Sequence, residues 1–447
     1  MLKDLLREKL KDLMEKGILE RGLMILDDQL KPIKQLLEQR TIPTNGWKED
    51  QVRLLFQLLA SMDTDKDENA ARVGEREGRT ASSLVSELCA GFSHGIGRGG
   101  DIFAIQPKAT GGSILNLLSS KIATSLLKSI GMSGIKSSIV LPVATGMSLG
   151  LCLSRIHQDW IKETPENQWL KDEIVMPRLD HKSPIKGIRL AGFKLHQVES
   201  ELNGDSVRVN VERIQESITP KTAAVVSTTA FFPPRAPDDI KEIAKMCKDL
   251  QLPHVINNSY GVQSSHYLKL IRGSIDAGRV DYIMQSTDKN FLTPVGGAVV
   301  CSPSEEKIGE LSKVYAGRAS ASPLVQFLAA ALALGTDGYK KLMEGQVENR
   351  KLLEQSVGEF AREKDQRLLE VDNPIAIAMT LNGIPKKIGG ILYNLRVTGP
   401  RVLFPGDFGT CIDDYPVPYM TLNAGLGARR EDFENLVNKL VKAFSQL

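Results

Sequence analysis

Asp281 to Gly297 reads DYIMQSTDKNFLTPVGG. An apolar run, Tyr282–Met284, gives way to a polar stretch, then to the single lysine Lys289, then to Pro294 and two glycines. The apolar run is short enough to be a buried strand. A surface loop fits the remainder, and so does a strand end that presents one lysine to a site. The surrounding pattern decides the fold. The segments SSIVLPVAT (137–145), DEIVMPRLD (172–180), IRLAGFKLHQV (188–198), TAAVVSTTA (222–230), PHVINNSYG (253–261) and GAVVCS (297–302) are β-branched or apolar runs of strand length. They alternate with helical stretches such as PDDIKEIAKMCKDLQ (237–251). Unbroken apolar strands between helices predict an α/β fold, a mainly parallel sheet covered on both faces.

In such sheets ligands bind beyond the carboxyl ends of the strands. The predicted strands end on Thr145, on Asp180–Ser183, on Asn257–Tyr260 and on Ser286–Lys289. These ends are expected to face one another across one site. The chain has 447 residues, room for two or three domains at roughly 100–200 residues each. Residues 1–65 are predicted to be a helical extension, because LKDLLREKLKDLMEKGI and WKEDQVRLLFQLLASM carry leucines at helical spacing. A packing arm and an RNA-contacting arm fit this extension equally. Residues 66–322 form the large domain, and 323–447 a smaller α+β domain ending in REDFENLVNKLVKAF.

Composition narrows the function classes. The net charge of +3 permits nucleic-acid contact without arguing for it. Aromatic residues are only 5% of the chain, which gives no platform for stacking many bases. The five cysteines are dispersed, with no CxxC pair, and the six histidines show no metal-ligand spacing. That argues against a disulfide scaffold and a zinc site, and it fits a reducing, cytoplasmic compartment. The start, MLKDLLREKLKDL, carries acidic residues and reads as no secretory signal. The uncharged stretch Ser137–Ser154 holds Pro142, Thr145, Gly146 and Ser148, so it reads as strand, turn and helix start, not as a membrane span.

Three constellations carry chemistry. In LPVATGMSL, free amides at a helix start would make an anion nest of Ala144, Thr145 and Gly146, with the Thr145 hydroxyl added. An ordinary strand-to-helix turn has the same appearance. In VINNSYG, Asn257 stands just after a strand, where folds that hold pyridoxal phosphate commonly pair an acid with the ring nitrogen. Lys289 follows in the order such folds use; a lysine shielded there by apolar neighbours can form a Schiff base. Glycine-rich FSHGIGRGGDIFAIQPKATGGS (92–113), with Arg98, Gln106 and Lys108, is a second anion-binding element, and GEREGR (74–79) and GRASASP (317–323) add further arginines. These are more phosphate-binding devices than one cofactor phosphate requires, which points to a phosphorylated substrate. His181, in LDHKS, is placed beside a flat ring.

Taken together, GEREGR, HGIGRGGD, QPKA, ATGMSL, NNSYGVQSS, QSTDKNF, PVGGA and GRASASP resemble the O-phosphoseryl-tRNA(Sec) selenium transferase family, from about Thr44 to Ala428. The resemblance implies a fold-type-I pyridoxal 5'-phosphate enzyme. It would convert phosphoserine esterified to tRNA(Sec) into selenocysteine, with selenophosphate as selenium donor. It implies that Lys289 holds the cofactor and takes the substrate's α-proton. Arg76, Ala144 and Thr145 would bind the cofactor phosphate, with His181 and Asn257 at the ring. Arg98, Gln106 and Arg318 would grip the substrate phosphate, together with Gly99, which stands where the family motif has serine. Glu75 would repel free amino acids, whose carboxylate is unmasked. Asp276, Leu395 and Arg396 stand where the family uses basic residues for tRNA. A homotetramer, two active-site dimers, is also implied. A fold-type-I lyase or desulfurase acting on a free amino acid, and a catalytically silent tRNA-binding protein, remain open alternatives.

Overall fold

The computed structural model describes residues 2–163 and 171–447. Its strands, in chain order, are β1 (Ser137–Leu141), β2 (Glu173–Pro177), β3 (Lys194–Val198), β4 (Glu201–Asn203), β5 (Ser206–Arg208), β6 (Thr222–Thr228), β7 (His254–Asn257), β8 (Tyr282–Ser286), β9 (Ala298–Ser302), β10 (Ala376–Thr380), β11 (Arg401–Leu403) and β12 (Tyr419–Asn423). Seven of them form one sheet in the order β1-β9-β8-β7-β6-β2-β3. β9 runs antiparallel to both its neighbours, β1 and β8, and every other pairing is parallel. All seven residues of central β6 are buried, as a strand covered on both faces must be.

One apolar segment resolves differently from its sequence. Ile188–Leu190 ends the helix Lys182–Leu190, and only Lys194–Val198 is strand. The run straddles a helix end. Gly192, at φ +87°, turns the chain between the two elements.

Helices Leu2–Leu10, Lys16–Gln39 and Glu49–Ala60 form the N-terminal extension. Ile33, Leu36, Val52, Leu55, Phe56 and Leu59 belong to the main core, so the second and third of these helices pack into the same core as the seven-stranded sheet. Helix Ser322–Glu363 bridges two cores. Leu324, Phe327 and Leu332 sit in the main one, while Leu353, Val357 and Phe360 sit in a second core with β10, β12 and the helix Arg430–Phe444. The helix breaks at Gly335, where φ is +62°. The Pro43–Trp47 segment fills the break: the amides of Thr336 and Asp337 donate to the carbonyls of Pro43 (2.9 Å) and Thr44 (3.0 Å), and Trp47 N–H donates to Leu332 O (2.8 Å). A Cβ on Gly335 would lie 2.7 Å from the Asn45 carbonyl carbon, so no side chain fits there.

Inside the sheet, His254 of β7 is fully enclosed. Nδ1–H donates to Arg279 O (3.1 Å), which leaves Nε2 to accept from the Ser227 hydroxyl (2.7 Å). Burial pushes its pKa down to about 4. The folded state therefore binds this proton more weakly than the unfolded chain, whose value is about 6.5. Stability from this group is intact above about pH 6.5 and falls as pH drops toward about 4, at about 1.4 kcal/mol per pH unit and about 3 kcal/mol in total. Denaturant midpoints taken at intervals from about pH 7.5 to about pH 4.5 should decline at the acid end. His254→Gln should decline less steeply, and an unchanged slope in that variant would contradict the assignment.

Candidate active site

Four parallel strand ends converge on one cavity of about 270 Å³. It is lined by Ala144, Thr145 and Gly146 after β1, His181 and Ser183 after β2, Asn257 at the end of β7 and Ser259 after it, and Ser286 at the end of β8 with Asp288 and Lys289 after it. A second cavity, about 370 Å³, shares His181, Asn257, Ser259, Asp288 and Lys289 with it and adds Phe231, Phe232 and Gln263. The sheet thus gathers polar ends that are far apart in sequence, as parallel topology dictates.

The nest stands at the start of the helix Thr145–Glu163. The carbonyl of Ala144 accepts from Met147 (2.9 Å) and Ser148 (3.0 Å), while the amides of Thr145 and Gly146 donate to no group among the described residues. Two free N–H groups at the positive end of a helix dipole suit a phosphate. A Cβ on Gly146 would fall 2.2 Å from Ser183 Oγ, so glycine lets the helices Thr145–Glu163 and Lys182–Leu190 close on each other here.

His181 caps the helix Lys182–Leu190. Its Nδ1 accepts the Ser183 amide at 3.3 Å, which places the ring proton on Nε2. Phe231 meets the ring edge-on, with centroids 6.0 Å apart. Burial holds its pKa below the usual histidine value, and the nearby charges of Lys289 and Arg401 add to this. His181 is therefore a neutral ring near pH 7. Asn257 is buried, and its Oδ1 accepts the Ser259 hydroxyl. Its Nδ2 is left to donate, which suits an unprotonated ring nitrogen as acceptor.

Lys289 lies in the helical turn Thr287–Phe291 that follows β8, and not on the strand itself. The sequence reading has it shielded by apolar neighbours. In the structure it is exposed, because the turn projects it into the open cavity, whose wall is part polar (Thr145, His181, Asn257, Asp288) and part apolar (Leu149, Met284, Val295). Its ammonium makes no hydrogen bond or ion pair among the described residues, so it is free to react. The donor set fits pyridoxal phosphate: free amides for the phosphate, a flat neutral ring, an amide donor for the ring nitrogen and an unpaired lysine.

The remaining candidates gather elsewhere. Glu75, Arg76 and Arg318 are exposed and line a separate cavity of about 600 Å³ with Glu77, His94 and Lys108. It shares no lining residue with the Lys289 cavities. Arg98 and Gly99 lie outside all three, on a tight turn where Arg98 and Asp101 exchange backbone hydrogen bonds (2.9 and 3.0 Å). Gly99 (φ +60°) and Gly100 (φ +87°) occupy its centre, the left-handed pair that such a turn requires. Gln106 is buried, with Oε1 accepting the Lys108 amide (3.3 Å).

Of the tRNA candidates, Leu395 is turned inward against the second core. Its place at the end of the amphipathic helix Ile388–Asn394 explains this. Asp276 is exposed and pairs with Arg272 at 3.7 Å. Arg396 is exposed at φ +62°, its carbonyl held by Lys439 (3.0 Å).

Sequence reasoning missed Arg401. Its guanidinium stands 4.6 Å from the Phe232 ring centre and 5.8 Å from that of Phe231, and it shares a cavity with His181 and Lys182. Its only sequence signal is an arginine opening a short strand.

The family model for O-phosphoseryl-tRNA(Sec) selenium transferase matches residues 62–445. The O-phosphoseryl-tRNA(Sec) selenium transferase of Methanopyrus kandleri is 43% identical over 429 residues, 95% of this chain and 96% of that one. The crystal structure of an archaeal O-phosphoseryl-tRNA(Sec) selenium transferase superposes with a TM-score of 0.91 at 40% identity, covering 96% of this chain and 98% of that one. At 11% identity, the Oryza sativa TDC solved with PLP shares the fold, with a TM-score of 0.63 over 96% of this chain and 97% of that one. A family match spanning most of the chain, on a fold whose strand ends converge on Lys289, settles its kinship: the chain belongs to the O-phosphoseryl-tRNA(Sec) selenium transferase family.

Proposed function

We propose that the protein converts O-phosphoseryl-tRNA(Sec) into selenocysteinyl-tRNA(Sec), with selenophosphate as selenium donor and pyridoxal 5'-phosphate held on Lys289. The observation that carries this reading is the unpaired Lys289 ammonium in one cavity with the free amides of Thr145 and Gly146. When bound, the cofactor supplies an electron sink for negative charge at the substrate's α-carbon. The chain's own groups do the rest. The nest holds the cofactor phosphate with Arg76. His181 and Asn257 would hold the ring, with the Asn257 amide as donor to its nitrogen. Lys289 accepts the α-proton at Nζ. Arg98, Gln106 and Arg318 bind the substrate phosphate and offset the charge that builds as it leaves. Selenophosphate then uses the same anion pocket.

Glu75 works by selection. The true substrate's carboxylate is an uncharged ester, so a nearby carboxylate costs it little, whereas a free amino acid is repelled. The Lys289 cavity and the Arg76–Arg318 cavity share no residue, which supports a site completed by a second copy of the chain. On this reading two such dimers form a homotetramer. The N-terminal helices and exposed Arg396 then meet the tRNA.

The test is a visible spectrum of the purified protein, then borohydride reduction and peptide mapping. A pyridoxyl mass on Lys289, together with selenocysteinyl-tRNA formed from phosphoseryl-tRNA(Sec) and selenophosphate, is the expected result. Equal activity on free phosphoserine would point to an enzyme of free amino acids. No chromophore after added pyridoxal phosphate would overturn the reading.

A further inference from the structure

His94 plays no part in the mechanism above, yet it is buried at the wall of the cavity that holds Arg76, Lys108 and Arg318. Its surroundings fix its tautomer. The Thr64 hydroxyl donates to Lys108 O at 3.1 Å, so its 3.4 Å contact with His94 Nε2 has Nε2–H as donor. Nδ1 is then the basic nitrogen.

Beyond Nε2, at 3.9 Å, lies Asp65 Oδ1, buried and without a hydrogen-bond partner. The loop residue Gly78, at φ +69°, closes over the pair: a Cβ there would fall 3.0 Å from His94 Nε2 and 2.7 Å from Asp65 Cβ. The charged groups that act on the imidazole are Asp65 and Glu77, which favour its protonation, and Arg318 and Lys108, which oppose it. Lys108 is itself paired with Glu77. With the cavity empty, burial above all holds His94 below its usual pKa and favours the neutral ring. An anion seated against Lys108 and Arg318 offsets the opposing charges and leaves the attraction of Asp65, whose other carboxylate oxygen pairs with Lys66.

We propose that His94 is the proton donor of this anion pocket, taking up a proton as a tetrahedral dianion binds and passing it to the oxygen of a departing phosphate. The second half rests on the function proposed above; the first half does not. In the elimination, the Cα–H pair forms the Cα=Cβ bond while Lys289 takes the α-proton. The Cβ–O pair stays on the phosphate oxygen, which receives the His94 proton and leaves as hydrogen phosphate. The imidazole returns neutral and is recharged from solvent when the next anion binds.

The probe is sulfate, which matches a phosphate dianion in shape but does not titrate near neutrality. Calorimetry of sulfate binding to the holoprotein, in buffers of different ionisation enthalpy, counts the protons taken up. The useful window is about pH 5 to 7.5, around the ordinary histidine value of about 6.5. Uptake that approaches one proton per site within this window is expected. His94→Gln should still bind sulfate with uptake near zero, and Asp65→Asn should shift the uptake maximum to lower pH. Sulfate binding without proton uptake, uptake that persists in His94→Gln, or no sulfate binding at all would each overturn the proposal. If His94→Gln misfolds, the Asp65→Asn shift decides it: an unmoved maximum overturns it. Conversion of phosphoseryl-tRNA(Sec) without proton uptake would sink this inference alone. Proton uptake without conversion would sink the proposed function alone.

Discussion

Lys289→Ala is expected to abolish conversion of phosphoseryl-tRNA(Sec) and leave the fold intact. Two losses combine. The variant has no amine to hold the cofactor, and no base at the α-carbon; a positioned base is worth roughly 10²–10⁴-fold by itself. Stability should barely change, because Lys289 is exposed and makes no hydrogen bond or ion pair among the described residues. Such substitutions usually fall within about 0.5 kcal/mol. Phe291 and Asn290, buried beside it in the same turn, hold the backbone in place without it. Thermal unfolding should therefore superpose on wild type while the visible band disappears. Lys289→Arg keeps the charge and lacks the nucleophile, so it should fail equally. Turnover by either variant near the wild-type rate would remove Lys289 from its role.

The strand ends that build this site were legible because parallel sheets impose a simple rule. Each run of apolar residues had to be buried, and the first polar residues after it had to lie at one edge. That rule located Thr145, His181, Asn257 and Lys289 together before any coordinate was known. It did not reveal that Lys289 is exposed, because exposure depends on which groups the neighbouring strands bring opposite. The break at Gly335 was hidden for a similar reason: a glycine in a helical stretch gives no sign that Pro43–Trp47 will fill the gap. Arg401 escaped notice because its partners, Phe231 and Phe232, are more than a hundred residues away in sequence. The glycine-rich and arginine-rich motifs were legible as anion devices. Which of them line the Lys289 cavity and which line a separate one was not legible from motif order, because that grouping is set by tertiary contacts.

Arg318→Ala separates the two phosphates. Arg318 lines the cavity of Arg76, Lys108 and His94, and it has no hydrogen bond or ion pair among the described residues that a structural role would require. Its guanidinium is thus available for an incoming anion, and Arg offers a planar fork suited to phosphate oxygens. If it binds the substrate phosphate, its removal takes away a charge-assisted contact that strengthens as the Cβ–O bond breaks. Loss of one such preorganised donor typically costs about 10²–10³ in rate. Conversion should fall by that order, while the affinity for pyridoxal phosphate and the absorbance band on Lys289 stay near wild type. Arg318→Lys, which keeps the charge but not the fork, should recover part of the loss. Arg76→Ala should show the opposite pattern, with the cofactor released first. Should Arg318→Ala lose the cofactor and recover conversion when pyridoxal phosphate is added in excess, the two arginines would have to exchange phosphates. The Arg76–Arg318 cavity would then be the cofactor's, and the substrate phosphate would fall to Arg98 and Gln106 on the glycine turn.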